Sequence, residues 1–158
     1  MSTGIFIHGL ESSNQGTKAL FFRERYPEML IPNFPGSLEE RMEKLDEVLF
    51  GRSDLRIVGS SFGGLMASLF AMHNIPRVER LILLAPAIHL IRESPYEIRE
   101  IPVPAYIYHG TRDEVILLKD VEREASKIFT DLTFNVVDDN HFLHNTFKTI
   151  DWDAYLLK

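Results

Sequence analysis

The chain has 158 residues, 45% hydrophobic and 25% charged, the make-up of one globular domain that buries roughly two-thirds of its unfolded surface. A net charge of −6, with lysine and arginine scattered singly, argues against nucleic acid or an anionic membrane as partner. There is no cysteine, which excludes disulfides and thiolate chemistry.

The first residues, MSTGIFIHGLESS, run straight into a strand pattern with no basic leader, and no later apolar run reaches the ~20 residues of a membrane span. The expected location is therefore the cytoplasm. In chain order the predicted strands are GIFIHG (4–9), EMLIPNF (28–34), DLRIVGS (54–60), VERLILLAP (78–86), AYIYHG (105–110) and LTFNVVD (132–138). Several are near-continuous apolar runs, as in parallel strands covered on both faces. Helical patterns lie between them. In SLEERMEKLDEVLF, Ser37 and Glu40 form a capping-box pattern and Leu38, Met42, Leu45 and Leu49 a stripe, with the charges on a solvated face. GGLMASLFAMH is apolar nearly all round and reads as a buried helix. Val115, Leu118, Val121, Ala125 and Ile128 stripe another, and a last helix is expected from about Asn145 to the end. This alternation predicts a single α/β domain over 1–158, a parallel sheet between two helical layers.

The stretch IVGSSFGGLMA carries the first chemical signal. Gly59-Ser60-Ser61-Phe62-Gly63 places a serine between two glycines where a strand passes into a helix. A turn that tight leaves no room for side chains two residues before and two after the serine. Ser61 is thus the framed residue; Ser60 would need small residues at 58 and 62, which are Val and Phe. A phosphate loop is the rival, but no G-K-[ST] ending and no G-x-G-x-x-G pattern is present.

A serine hydroxyl is a weak nucleophile and needs a base and a group that orients the base. Of six histidines, His141 and His144 follow the last predicted strand, and His141, nearer the strand end, is the better base. His8 and His109 end strands and read as loop-shaping residues. Asp113 follows the penultimate strand, which sets the order Ser61, Asp113, His141; Asp138 and Asp139 are the fallback acids. Alone, Asp113 would read as a helix N-cap. Two backbone N–H groups are expected to form an oxyanion hole, that of Phe62 just after the serine and that of Leu10 just after Gly9.

With HGLESS (8–13), GSSFGG (59–64), HGTRDEV (109–115) and the histidine of DDNHF, the chain resembles the α/β-hydrolase superfamily over nearly its whole length. The likeness is nearest to short, lidless bacterial esterases with a strand, His-Gly, a Ser-Ser pair and Lys-Ala, here His8, Gly9, Ser12, Ser13, Lys18 and Ala19. The resemblance implies six parallel strands in the order 2-1-3-4-5-6 within a three-layer αβα sandwich. The segment AIHLIRESPYEIREIPVP is too short for the cap domain that larger members carry there. The expected activity is serine-dependent hydrolysis of a small carboxylic ester, favouring short acyl chains, with no cofactor and no metal. Thioester or amide cleavage would use the same residues, and the fold also serves non-catalytic binding proteins. A metal site from Asp138, Asp139, His141 and His144 would lack the H-E-x-x-H pattern and leave the serine turn unexplained.

Overall fold

The computed structural model describes residues 2–158. Five strands form one sheet: β1 (Thr3–Ile7), β2 (Leu55–Ser60), β3 (Val78–Leu84), β4 (Ala105–Gly110) and β5 (Leu132–Val137). They lie in the order β1-β2-β3-β4-β5, and every neighbouring pair is parallel. This corrects the expectation of six strands in the order 2-1-3-4-5-6. The segment 28–34 does run beside β1, but it pairs only through Leu30, whose N–H donates to Gly4 O and whose carbonyl accepts from Phe6 N, both at 2.9 Å. The next rung of a parallel ladder would need the N–H of residue 32. That residue is Pro32, which has none, so the ladder stops after one bridge.

Strand residues alternate between two cores, as the two-residue period of a strand requires. Ile5, Ile7, Leu55, Ile57, Leu81, Leu83 and Ile107 face α2 (Leu38–Val48), α3 (Phe62–Met72) and α4 (Leu118–Ile128). Phe6, Val58, Ile82 and Leu84 face α1 (Thr17–Arg25), α5 (Trp152–Leu156) and the 3-10 turn Phe147–Thr149. Each fully buried large apolar side chain contributes about 1.5–3 kcal/mol, so both layers are strongly held. The helix α3 is buried from Gly63 to Met72, in keeping with its all-round apolar sequence. The Ser37–Glu40 capping box is formed reciprocally at the start of α2.

Three elements depart from the sequence reading. The helix α1 has no side-chain cap and no continuous stripe; it is held by Ala19 and Phe22, with Phe22 against Phe6, Phe147 and Trp152. The C-terminal helix is shorter than expected and begins at Trp152, with Asp151 as its N-cap. The α2 charges are not all solvated: Arg41 is buried, donates to Gly36 O at 2.8 Å and lies 5.3 Å from the centre of the Phe62 ring. Between β3 and β4 the chain makes one 3-10 helix, Ile88–Glu93, and no cap domain. Among the described residues no helix is long and apolar enough to cross a membrane.

Candidate active site

The junction of β2 and α3 is sterically determined. Ser61 sits there with φ 55 and ψ −115, a conformation that costs a non-glycine residue about 1–3 kcal/mol and persists only where its surroundings enforce it. Three hydrogen bonds enforce it: Ser61 N donates to Leu84 O, and Ser61 O accepts from Gly64 N and Ala87 N, each at 2.9 Å. A Cβ on Gly59 would overlap the Gly63 carbonyl, and one on Gly63 would overlap the carbonyl of Ile7. The two glycines therefore clear room for different neighbours, the helix start in one case and the end of β1 in the other. Ser60 remains within β2, paired with Leu84.

The loop after β1 comes against this junction. A Cβ on Gly9 would lie 3.3 Å from Ser61 Cβ and 3.5 Å from Ser60 O. His8 anchors the loop: its Nε2 accepts from Phe34 N at 2.9 Å, so Nδ1 carries the proton and donates to Gly9 O at 2.7 Å. Burial depresses the His8 pKa and keeps the ring neutral. Among the described residues the N–H groups of Leu10 and Phe62 bond no backbone acceptor.

Asp113 and His141 are brought together by the loops after β4 and β5. Those loops are joined by Thr111 N to Val137 O at 2.8 Å, Arg112 N to Asp139 O at 3.0 Å and the Arg112–Asp138 ion pair at 2.9 Å. His141 Nδ1 then donates to Asp113 Oδ2 at 2.8 Å. The other carboxylate oxygen accepts from Val115 N at 2.9 Å and Ile116 N at 2.8 Å. Asp113 is not the cap of α4, whose N-cap is Leu117. Burial opposes its charge, but the hydrogen bonds from His141 and Ile116 and the nearby imidazoles outweigh burial and hold its pKa below the usual carboxylate value.

Sequence reasoning assigned His109 no more than a loop-shaping part. It is fully buried, and its Nε2 lies 2.8 Å from Ile116 O and 3.2 Å from Asp113 Oδ2. A carbonyl can only accept, so Nε2 carries the ring's one proton and donates it to Ile116 O, which leaves the positive end of that N–H dipole beside the Asp113 oxygen bonded to His141. Its Nδ1 is buried without a partner, and burial depresses its pKa; the ring is held neutral. Asp139, weighed as a fallback acid, is turned inward. It accepts from Asn140 N through Oδ1, and from Asn145 N, Thr146 N and Thr146 Oγ1 through Oδ2. It thus cages the loop carrying His141 and the positive-φ residue Leu143 (φ 53). Its only sequence trace is an aspartate placed six and seven residues before Asn145 and Thr146. Lys18 ties this loop to α1 by donating to Phe142 O at 2.8 Å.

Ser61, Phe62, Leu10 and His141 line one cleft of about 830 Å³ at the C-terminal ends of the strands, where parallel α/β sheets hold ligands. That is roomy for a chain without a cap. No hydrogen bond joins Ser61 to His141 in this structure. Leu10, Val115 and Phe142 stand half or more exposed at the mouth.

No family model and no curated protein matches this sequence. Solved structures do. Alpha/beta hydrolase domain-containing protein 10 from mouse superposes with a TM-score of 0.75 at 17% identity, over 98% of this chain and 86% of that one. A protein from Xanthomonas campestris pv. campestris, described as a hydrolase of the alpha/beta superfamily, gives 0.70 at 23% identity over 94% and 93%. An alpha-beta serine hydrolase homologue from Coxiella burnetii gives 0.73 at 22% over 92% and 79%. The chain has the α/β-hydrolase fold. Within that fold the cleft lies between the ends of β1 and β2 on one side and the loops after β4 and β5 on the other.

Proposed function

We propose that this α/β-hydrolase-fold protein is a serine hydrolase that cleaves a carboxylic ester through an acyl-enzyme on Ser61. The observation that carries this reading is the strained φ of 55 at Ser61, held on a cleft that also receives His141 from its bond to Asp113. Strain of that kind at a strand-to-helix turn lifts the hydroxyl clear of the backbone.

In the proposed reaction Ser61 Oγ attacks the ester carbonyl carbon while its proton passes to His141 Nε2. Negative charge moves to the carbonyl oxygen, where the N–H groups of Leu10 and Phe62 receive it; each such donor is worth about 3–4 kcal/mol. Asp113 keeps the Nδ1 proton on His141 and steadies the imidazolium without taking its proton. The C–O bond to the alcohol breaks as His141 returns the proton to the leaving oxygen. Water, deprotonated by His141, then attacks the acyl carbon and restores Ser61. The chemistry requires neither a cofactor nor a metal, and its partner is a small-molecule ester.

The test is hydrolysis of 4-nitrophenyl butyrate by the wild-type chain and Ser61→Ala. The variant is expected to fold normally and to lose roughly 10⁴-fold or more in kcat. Full activity in Ser61→Ala would overturn the reading.

A further inference from the structure

The cleft draws its two walls from the two cores of the molecule. On the α3 side are Phe62, Ala87, Leu90 and Ile116, with His89 beside them. On the α1 side, Lys18, His144 and Lys148 stand around Leu143 and Phe147. Among the described residues Glu11 is the only acidic one that borders the cleft, although the net charge is −6.

Neither lysine has a carboxylate partner within ion-pair distance among the described residues. Lys18 Nζ uses one proton on Phe142 O at 2.8 Å and lies 5.5 Å from the centre of the Phe147 ring. Asp139, the acid nearest in effect to Lys18, has its oxygens occupied by the donors of its own loop. One wall of the cleft is therefore apolar and the other carries two lysines that form no ion pair among the described residues.

The chemistry assigns a part of the substrate to each wall. His141 must deliver its proton to the leaving oxygen, so the alcohol departs on the side of His141. Phe142, Leu143 and His144 follow directly in the chain, and Lys18 is bonded to that segment. We propose that the substrate is an ester with an apolar acyl part, set against Phe62, Leu90 and Ile116, and a carboxylate or phosphate on its alcohol part, met by Lys18, His144 and Lys148. This rests on Ser61 being the nucleophile.

The experiment compares kcat/KM for 4-butyryloxybenzoate and 4-butyryloxyphenyl phosphate with that for the neutral 4-butyryloxybenzamide. It uses the wild-type chain, Lys148→Ala and Lys148→Glu; Lys148 is exposed, so the fold should tolerate both changes. The preference for an anionic over the neutral ester is expected to fall about three-fold in Lys148→Ala and about ten-fold in Lys148→Glu, chiefly through KM. A fall confined to one anion names that anion as the group bound. An unchanged preference in Lys148→Glu for both anions, with hydrolysis still abolished in Ser61→Ala, would overturn this proposal alone. Hydrolysis at the wild-type rate by Ser61→Ala would instead overturn the reading beneath it.

Discussion

The turn at Ser61 and the loop that carries His141 each hold a proposed catalytic side chain on the same cleft, and each contains a non-glycine residue at positive φ, Ser61 (φ 55) and Leu143 (φ 53). They are held by different means. The Ser61 turn is fixed by backbone against backbone, with Gly59 and Gly63 allowing the start of α3 to press on β2 and β1. The loop of His141 is fixed by a buried carboxylate, Asp139, that gathers donors from Asn140, Asn145 and Thr146. Steric fit admits few solutions and leaves a short local pattern, whereas a hydrogen-bonded cage can be built from many residue types at many spacings. The first kind of site is therefore easier to recognise in a sequence than the second.

The largest effect expected from breaking this pair of regions is kinetic. His141→Ala should lower kcat by about 10³–10⁴-fold, and the double variant with Ser61→Ala should be little worse than either single one, because the residues act as one unit. Losses that multiply would show that the serine and histidine do not act as one unit. The measurement is kcat for all three variants on one ester.

A second comparison separates the two aspartates by what each one holds. Asp113→Asn should cost more activity than Asp139→Asn, by roughly 10²-fold or more, since it disturbs the tautomer of His141. Asp139→Ala should cost more stability, about 2 kcal/mol, because it leaves the backbone donors of its loop without their acceptor. Urea unfolding and kcat, measured on the same samples, check both. The opposite ranking in activity would make Asp139 the orienting acid.

The smallest effect concerns His109. Its Nε2, 3.2 Å from Asp113 Oδ2, sets a partial positive charge beside the oxygen bonded to His141; without it that carboxylate is more basic. His109→Phe should therefore move the acid limb of kcat/KM upward, while His109→Gln, whose amide N–H can reach the same place, should restore it. The imidazole is held neutral in the folded chain, so its folded pKa lies below its unfolded value of about 6.5. As pH falls through that value the unfolded chain takes up the proton first, and stability declines toward the lower folded pKa. His109→Gln should flatten that part of the stability profile. An acid limb that stays in place in His109→Phe would remove His109 from this role.

What could be read in the sequence follows the same division between sterics and hydrogen bonding. The alternation of strands and helices, the buried α3 and the glycine frame of Ser61 all follow from side-chain size and apolar pattern, which are local properties. The strand expected over EMLIPNF failed because Pro32 lacks the N–H that its next rung on β1 would need. The helix α1 left no stripe, because its hold on the sheet depends on Phe22 meeting Phe6, Phe147 and Trp152, which are distant in the chain. Chain order alone suggested Asp113 and His141, and the structure joins them by a 2.8 Å hydrogen bond. The approach of His109 to Asp113 and the inward turn of Asp139 depend on loop conformations that no local pattern specifies.

The central claim is that Ser61 is the nucleophile, and the most direct measurement is covalent labelling with a fluorophosphonate followed by peptide mapping of the modified residue. The account predicts a single adduct on Ser61, greatly slowed in His141→Ala. An adduct on Ser60, or no adduct on a folded sample, would contradict it.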